Sequence, residues 1–136
     1  MTPFSEKKAI ASCFYDAYNH KDLEKSFEDF IDADLINHTM GGSLGRTKWF
    51  EFDKAFITAC PDMRLIVKDQ FCEGNKVVTH WICAGTHQAD FFGNPASGNA
   101  IQLTGISIDR IENGKIKEHI AVADFTQLMQ QFQKTS

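Results

Sequence analysis

The hydrophobic period of this chain turns from helical to strand-like at Pro61-Asp62, and that change limits the fold more than any other feature. Before it, apolar residues recur at three- and four-residue spacing, as on one face of a helix; after it come runs of strand-forming residues in two pairs. Residues 63–72 and 76–87 flank Glu73-Gly74-Asn75, a turn of hairpin composition. Residues 100–111 and 115–123 flank Glu112-Asn113-Gly114, whose Asn-Gly is the strongest short hairpin signal.

Thr2-Pro3 reads as a helix start, with Thr as N-cap and Pro at the first helical position. Ile10, Cys13, Phe14, Ala17 and Tyr18 then give a helical stripe ending near Asn19. A second helix is expected over 23–31, with Leu23, Phe27 and Phe30 inward, followed by a short β-leaning stretch at 35–39. Gly41, Gly42 and Gly45 make a flexible loop, Thr47 is a candidate cap, and Trp49, Phe52, Phe56, Ala59 and Cys60 mark a third helix that Pro61 ends. Phe125, Leu128, Met129 and Phe132 mark a closing helix. Helices segregated from long hairpins give an α+β fold with an antiparallel sheet, one domain over 1–136, closing on an apolar pocket. Several strands are apolar on both faces, as at Val77-Val78 and Ile106 to Ile108, which a second subunit on the sheet would explain. A homodimer is therefore expected.

A net charge of −4 without a basic stripe argues against nucleic acid, and no apolar run approaches the ~20 residues of a membrane span. With no signal-peptide pattern at the start, a cytoplasmic protein is expected. Cys13, Cys60, Cys72 and Cys83 form no CxxC pair and have no histidine at zinc spacing, so they read as reduced, buried and inert. No dinucleotide or phosphate-loop motif is present, and neither metal nor cofactor is expected. Twelve Phe, two Trp and two Tyr can fill a core or line a cavity for a flat apolar ligand.

Asp124 is the first candidate for chemistry. It falls where the last strand meets the closing helix, with the parity of Ile116, Ile120 and Val122. On a pocket face its pKa would rise, as suits a general acid or base. Asp124-Phe125-Thr126-Gln127 also reads as an N-cap close to a capping box, and the two roles are compatible. His38, beside Asn37, is either a pocket group that switches charge near neutral pH or a satisfied core histidine. His80 and His87 differ in parity on one strand, which argues against a shared metal unless Gly85 bulges. His119, with solvent-type neighbours in Lys117 and Glu118, and His20, in a turn, read as surface residues.

Gly85-Thr86-His87, Phe92-Gly93-Asn94-Pro95-Ala96-Ser97-Gly98, Gly105-Ile106, Arg110-Ile111, Gly114-Lys115-Ile116-Lys117-Glu118 and Asp124 together resemble the SnoaL-like polyketide cyclase (ester cyclase) family. Phe14-Tyr15, Ala17-Tyr18-Asn19, His38 and Pro61-Asp62 also fall where that family tends to have them. The resemblance implies a nuclear-transport-factor-two-like (cystatin-like) fold: a curved antiparallel sheet wrapped around N-terminal helices to form a cone with a pocket, usually dimeric. It further implies an Asp at the position of Asp124 acting as acid/base in an aldol closure without metal or cofactor. His38, Asn37 or His80 would then hydrogen-bond the enol oxygen, Phe14, Tyr18 and Trp81 would form pocket wall, and His87 would join the substrate-binding set. Departures are Ile120-Ala121 where the family often has Trp-Asp, His80 where it often has Arg, and Ala96-Ser97 where it often has Pro-Thr. The expected activity is cyclisation or isomerisation of a small hydrophobic polyketide- or steroid-like substrate. The alternatives are a non-catalytic ligand-binding or association domain and, third, a small epoxide or ester hydrolase.

Overall fold

The computed structural model describes residues 3–133, so Thr2 as a helix cap lies outside the described residues. Helices α1 (Pro3–His20) and α2 (Leu23–Phe30) lead into strand β1 (Ile31–Asn37), a short 3₁₀ turn (Thr39–Gly41) and helix α3 (Arg46–Ala59). The strands β2 (Arg64–Glu73), β3 (Lys76–Thr86), β4 (Ala100–Glu112) and β5 (Lys115–Ala123) follow, and α4 (Phe125–Gln133) closes the order. They form one five-stranded sheet in the order β1-β5-β4-β3-β2. Four strands are antiparallel in sequence order, but β1 joins parallel to β5, so the sheet is mixed. Both turns behave as the sequence expects: Asn113 and Gly114 take φ of 53° and 75°, and Gly74 takes 61°, the left-handed region that suits them.

Side-chain alternation gives the sheet two unlike faces. Along β4, Ile101, Leu103, Ser107, Asp109 and Ile111 are buried, while Ile106 and Ile108 point outward. The inner face carries the helices. α1 lies over β2 and β3, where the Asn19 carboxamide both donates to the Leu65 carbonyl and accepts from the Leu65 N–H. α4 packs on β4, with Phe132 stacked on Phe91 and edge-on to Phe56.

Two helices depart locally from expectation, and of the four cysteines expected to be buried, Cys13 is exposed and Cys72 half-buried. On α1 the buried stripe is Ala11, Phe14, Tyr15 and Tyr18, so Cys13 is exposed and Tyr15 takes an inward place. Cys60 and Cys83 are buried, with burial pushing their thiols up to about 11 and about 12. α3 begins at Arg46 with Gly45 as its N-cap rather than with Thr47, and its Phe52 is 40% exposed.

The main departure is a bulge in β5. Arg110 pairs with Glu118 and Ile111 with Ile116, which leaves Lys117 as an extra residue on β5. One inserted residue exchanges the faces of everything after it. Ile116 is inward, but beyond the bulge the inward residues are His119, Ala121 and Ala123, paired with Asp109, Ser107 and Gly105. Ile120 and Val122 turn to the outer face.

Candidate active site

A cavity of about 200 Å³ opens between α1, α3 and the inner face of the sheet. Its walls are mostly apolar: Phe56, Met63, Leu65, Trp81 and Phe125 among them, with Leu44 and Phe52 partly exposed at the rim. Trp81 lies flat against β4 because Gly105 has no side chain there; a Cβ on Gly105 would come within 2.4 Å of the indole. The indole N–H donates to Ser107 Oγ at 2.8 Å, which fixes the ring as a wall.

Polar groups enter from three directions. From α3, Asp53 follows Trp49 by one helical turn and shares its inward side. Its Oδ2 accepts from Tyr18 O–H at 2.5 Å and from Trp49 Nε1–H at 2.9 Å. Oδ1 has no partner among the described residues and is not sealed off, so it opens to the cavity. By surface area Asp53 is only half-buried, because that side borders the cavity, yet protein atoms crowd its carboxylate. Desolvation therefore dominates and raises its pKa from 3.8 to about 6, against smaller lowering by the Tyr18 bond, His119 and the Trp49 bond. Burial, reinforced by the neighbouring carboxylates, pushes Tyr15 and Tyr18 well above the usual tyrosine range, so both are neutral donors.

From the sheet, Asp109 and His119 face each other across β4 and β5. Asp109 is fully buried; its Oδ1 lies 2.6 Å from His119 Nδ1, and its Oδ2 accepts from Tyr15 O–H at 2.6 Å. A buried carboxylate has to be compensated this way. With a carboxylate on one side, the neutral imidazole carries its proton on Nδ1. Nε2 has no partner among the described residues and opens to the cavity as an acceptor. The ring stacks on Trp49 with centroids 4.2 Å apart at 22°, which fixes its plane. From β1 comes Asn37, 3% exposed, its backbone paired in both directions with Leu44. The cavity thus presents a raised-pKa carboxylate, an oriented imidazole and a carboxamide in an apolar surround, an arrangement suited to moving protons on a flat apolar molecule.

Of the residues expected from sequence, Asn37, Tyr18 and Trp81 line this cavity. The others are elsewhere. Asp124 is exposed and its Oδ1 accepts from the Gln127 N–H at 2.9 Å, capping α4; the β5 bulge is what turns it away from the inner face. His38 is exposed at the 3₁₀ turn, with Nε2 3.8 Å from Glu118. His80 belongs to the outer face, because the inward residues of β3 are Val77, Thr79, Trp81 and Cys83. His87 is wholly buried outside the cavity lining, where its ring nitrogens meet Ser97 Oγ at 2.9 Å and the Asn94 carbonyl at 3.1 Å. It anchors the 88–99 loop. Phe14 stands behind the wall, its ring against Tyr15, Tyr18, Phe27 and Trp49.

Sequence reasoning missed Asp53, Asp109 and His119. Asp53 was visible as a carboxylate inside an apolar helical stripe, three residues before Phe56. Asp109 shares the parity of Leu103 and Ile111 on an uninterrupted strand. His119 left no such signal, since only the bulge brings it inward. Among the described residues no group of three or more His, Cys, Asp or Glu is gathered as a metal site. No helix among them is long and apolar enough to cross a membrane.

An open mixed sheet with helices on one face and a polar-spotted apolar cavity beneath them defines a pocket domain of the nuclear-transport-factor-two-like class. Comparison makes the family specific: residues 8–132 match the model for the SnoaL-like polyketide cyclase, and the chain belongs to that family. Among solved structures, the candidate hydroxylase AclR of Streptomyces galilaeus superposes with a TM-score of 0.87 at 22% identity, covering 98% of this chain and 99% of that one. The candidate polyketide cyclase IdmH of Streptomyces antibioticus gives 0.79 at 26% identity over 92% and 96%. TsrD of Streptomyces laurentii gives 0.82 at 21% identity over 97% and 98%. A search of curated protein sequences returned no match. Ala121 of β5 lies on the cavity wall, and the carboxylate beside it in the lining is Asp53 of α3.

Proposed function

We propose that this protein is a cofactor-free acid/base enzyme that cyclises or isomerises a small hydrophobic, ring-forming or ring-bearing substrate of polyketide- or steroid-like shape. The observation that carries this reading is a pair of atoms with no partner among the described residues, Asp53 Oδ1 and His119 Nε2, on side chains that line one apolar cavity.

Asp53, mostly ionised at neutral pH yet more basic than an ordinary carboxylate, takes a proton from the carbon beside a substrate carbonyl. In a ring closure, the freed electron pair forms a C–C bond to an acceptor carbonyl carbon. The acceptor's C=O π bond breaks, and its oxygen takes up a proton. The proton gained by Asp53 balances the one the new alkoxide needs, so product and substrate are isomers. His119, held by Asp109 and backed by the Trp49 ring, relays that proton. Within this reading Tyr18 and Trp49 keep Asp53 in place, and Trp81 forms the wall against which a flat ring lies.

The subunit is further proposed to work as a homodimer in the cytoplasm. Support for the dimer is the outer sheet face, where Phe71, Val78, Ile108 and Ile120 fall in one row across four strands, with His80, Ile106 and Val122 in the next. Phe71 and Val122 are 63% and 65% exposed in the isolated chain.

The test of the chemistry is α-proton exchange of 2-tetralone, a compact bicyclic ketone, in D₂O followed by NMR. The wild-type protein is expected to accelerate exchange, and Asp53→Asn to lower the rate by about 100-fold or more. No acceleration by wild-type protein, with 2-tetralone demonstrably bound, would leave a non-catalytic binding domain.

A further inference from the structure

We propose that Asn37 and Thr39 form a binding subsite for a ligand oxyanion, the enolate or phenolate oxygen of a flat carbonyl compound, with Thr39 as its positioning residue. This rests on the acid/base reading above, which requires negative charge to build on a substrate oxygen but does not by itself say what receives it.

The Asn37 carboxamide is held on one side only. Its Oδ1 accepts from the Thr39 backbone N–H at 2.9 Å and from the Thr39 hydroxyl at 2.5 Å. A backbone N–H can only donate, so the atom facing it must be the carbonyl oxygen, and this fixes which end of the amide is which. The hydroxyl cannot turn away either: Thr39 Oγ1 already accepts from the Ala121 N–H at 3.0 Å, so its own proton is directed to Asn37. The amide nitrogen Nδ2 is left with no partner among the described residues. Asn37 is buried and lines the cavity, and the cavity is the space left for the Nδ2 donors.

Rigidity makes the arrangement suited to charge that appears during a reaction. Asn37 is paired through its backbone with Leu44 on one side, and the neighbouring His38 N–H donates to the His119 carbonyl on the other. Asn37 and His119 are register partners on adjacent parallel strands, so the donor and the imidazole flank the same stretch of cavity wall. A donor fixed in advance in an apolar surround needs no reorganisation as the oxyanion forms. A neutral amide suits this place, because it stabilises the oxyanion without lowering the basicity of Asp53 as a fixed cation would.

The experiment compares 2-naphthol, a planar aromatic analogue of the 2-tetralone enol, with naphthalene, which has the same ring system and no oxygen. Binding to the intact protein is read by fluorescence, for wild type, Thr39→Val and Thr39→Ser. Thr39→Val keeps the side-chain shape and the backbone N–H bond but removes the hydroxyl's bond, so the amide is held by one contact in place of two; it is expected to weaken 2-naphthol about tenfold while naphthalene binding stays unchanged, and to slow 2-tetralone exchange at saturation. Thr39→Ser restores both. An equal loss for both ligands, or no loss for 2-naphthol, overturns the subsite. If Asp53→Asn abolishes exchange while Thr39→Val leaves 2-naphthol untouched, the subsite fails and the acid/base reading survives. Wild-type protein that binds neither ligand and exchanges nothing would overturn both.

Discussion

Replacing Asp53 with Asn should remove the chemistry and at the same time make the protein more stable at neutral pH. The folded state holds this carboxyl near pH 6, against 3.8 when unfolded, chiefly through desolvation. Because the folded pKa is raised, the folded state binds the proton more tightly. Its contribution favours folding at low pH and is lost as pH climbs from about 3.8 to about 6. The full difference of 6 − 3.8 is about 2.2 pH units, or about 3 kcal/mol carried as a burden once both states are ionised. Water reaching the carboxylate through the cavity screens part of this, so a gain of about 1–3 kcal/mol is the expected range. Asn keeps the shape, and its oxygen still accepts from Tyr18 and Trp49, so no buried donor is orphaned. Urea denaturation of both proteins at pH 4, 5 and 7 measures the effect. The stability gain of Asp53→Asn should be below about 1 kcal/mol at pH 4, intermediate at pH 5 and largest at pH 7. A variant no more stable than wild type at pH 7, or a gain independent of pH, would refute the desolvation argument and with it the raised basicity assigned to Asp53. Stabilisation coupled to lost turnover is what a carboxylate retained for function produces.

Other perturbations separate the roles of neighbouring groups. Asp109→Asn should lower 2-tetralone exchange by about 100-fold or more, because an amide no longer enforces the Nδ1–H form of His119, and chemical denaturation should also show a loss of stability. Gly105→Ala should cost about 1–3 kcal/mol in denaturation and reduce naphthalene affinity, since the methyl drives Trp81 into the cavity. Asp124→Asn should leave stability and exchange unchanged, whereas Asp124→Ala should cost about 1 kcal/mol through the lost cap; a large loss of exchange in Asp124→Asn would return Asp124 to the reaction. Ile106→Lys on the outer face should shift size-exclusion elution from dimer to monomer, and an unchanged monomer for wild type would refute the dimer.

The fold was legible because its signals are local. Helical and strand periods, Asn113-Gly114 and the break at Pro61 each follow from a few adjacent residues, and β5 is observed with the expected limits of Lys115–Ala123. The family was legible for a related reason: several of its motif residues, such as those of the 92–98 loop and Gly114, sit at turns, where backbone conformation restricts residue type. Of the site, the sequence could mark Tyr18 from the helical stripe of α1, and Trp81 and Asn37 through the family resemblance. It could not decide which histidine is inward on β5. Alternation assigns a face only relative to the neighbouring strand, and one extra residue at Lys117, permitted by pairing with β4, exchanges Asp124 and Val122 for His119 and Ala121. The basicity of Asp53 was equally out of reach, because it arises from the burial that α1, α3 and the sheet create together around one carboxylate.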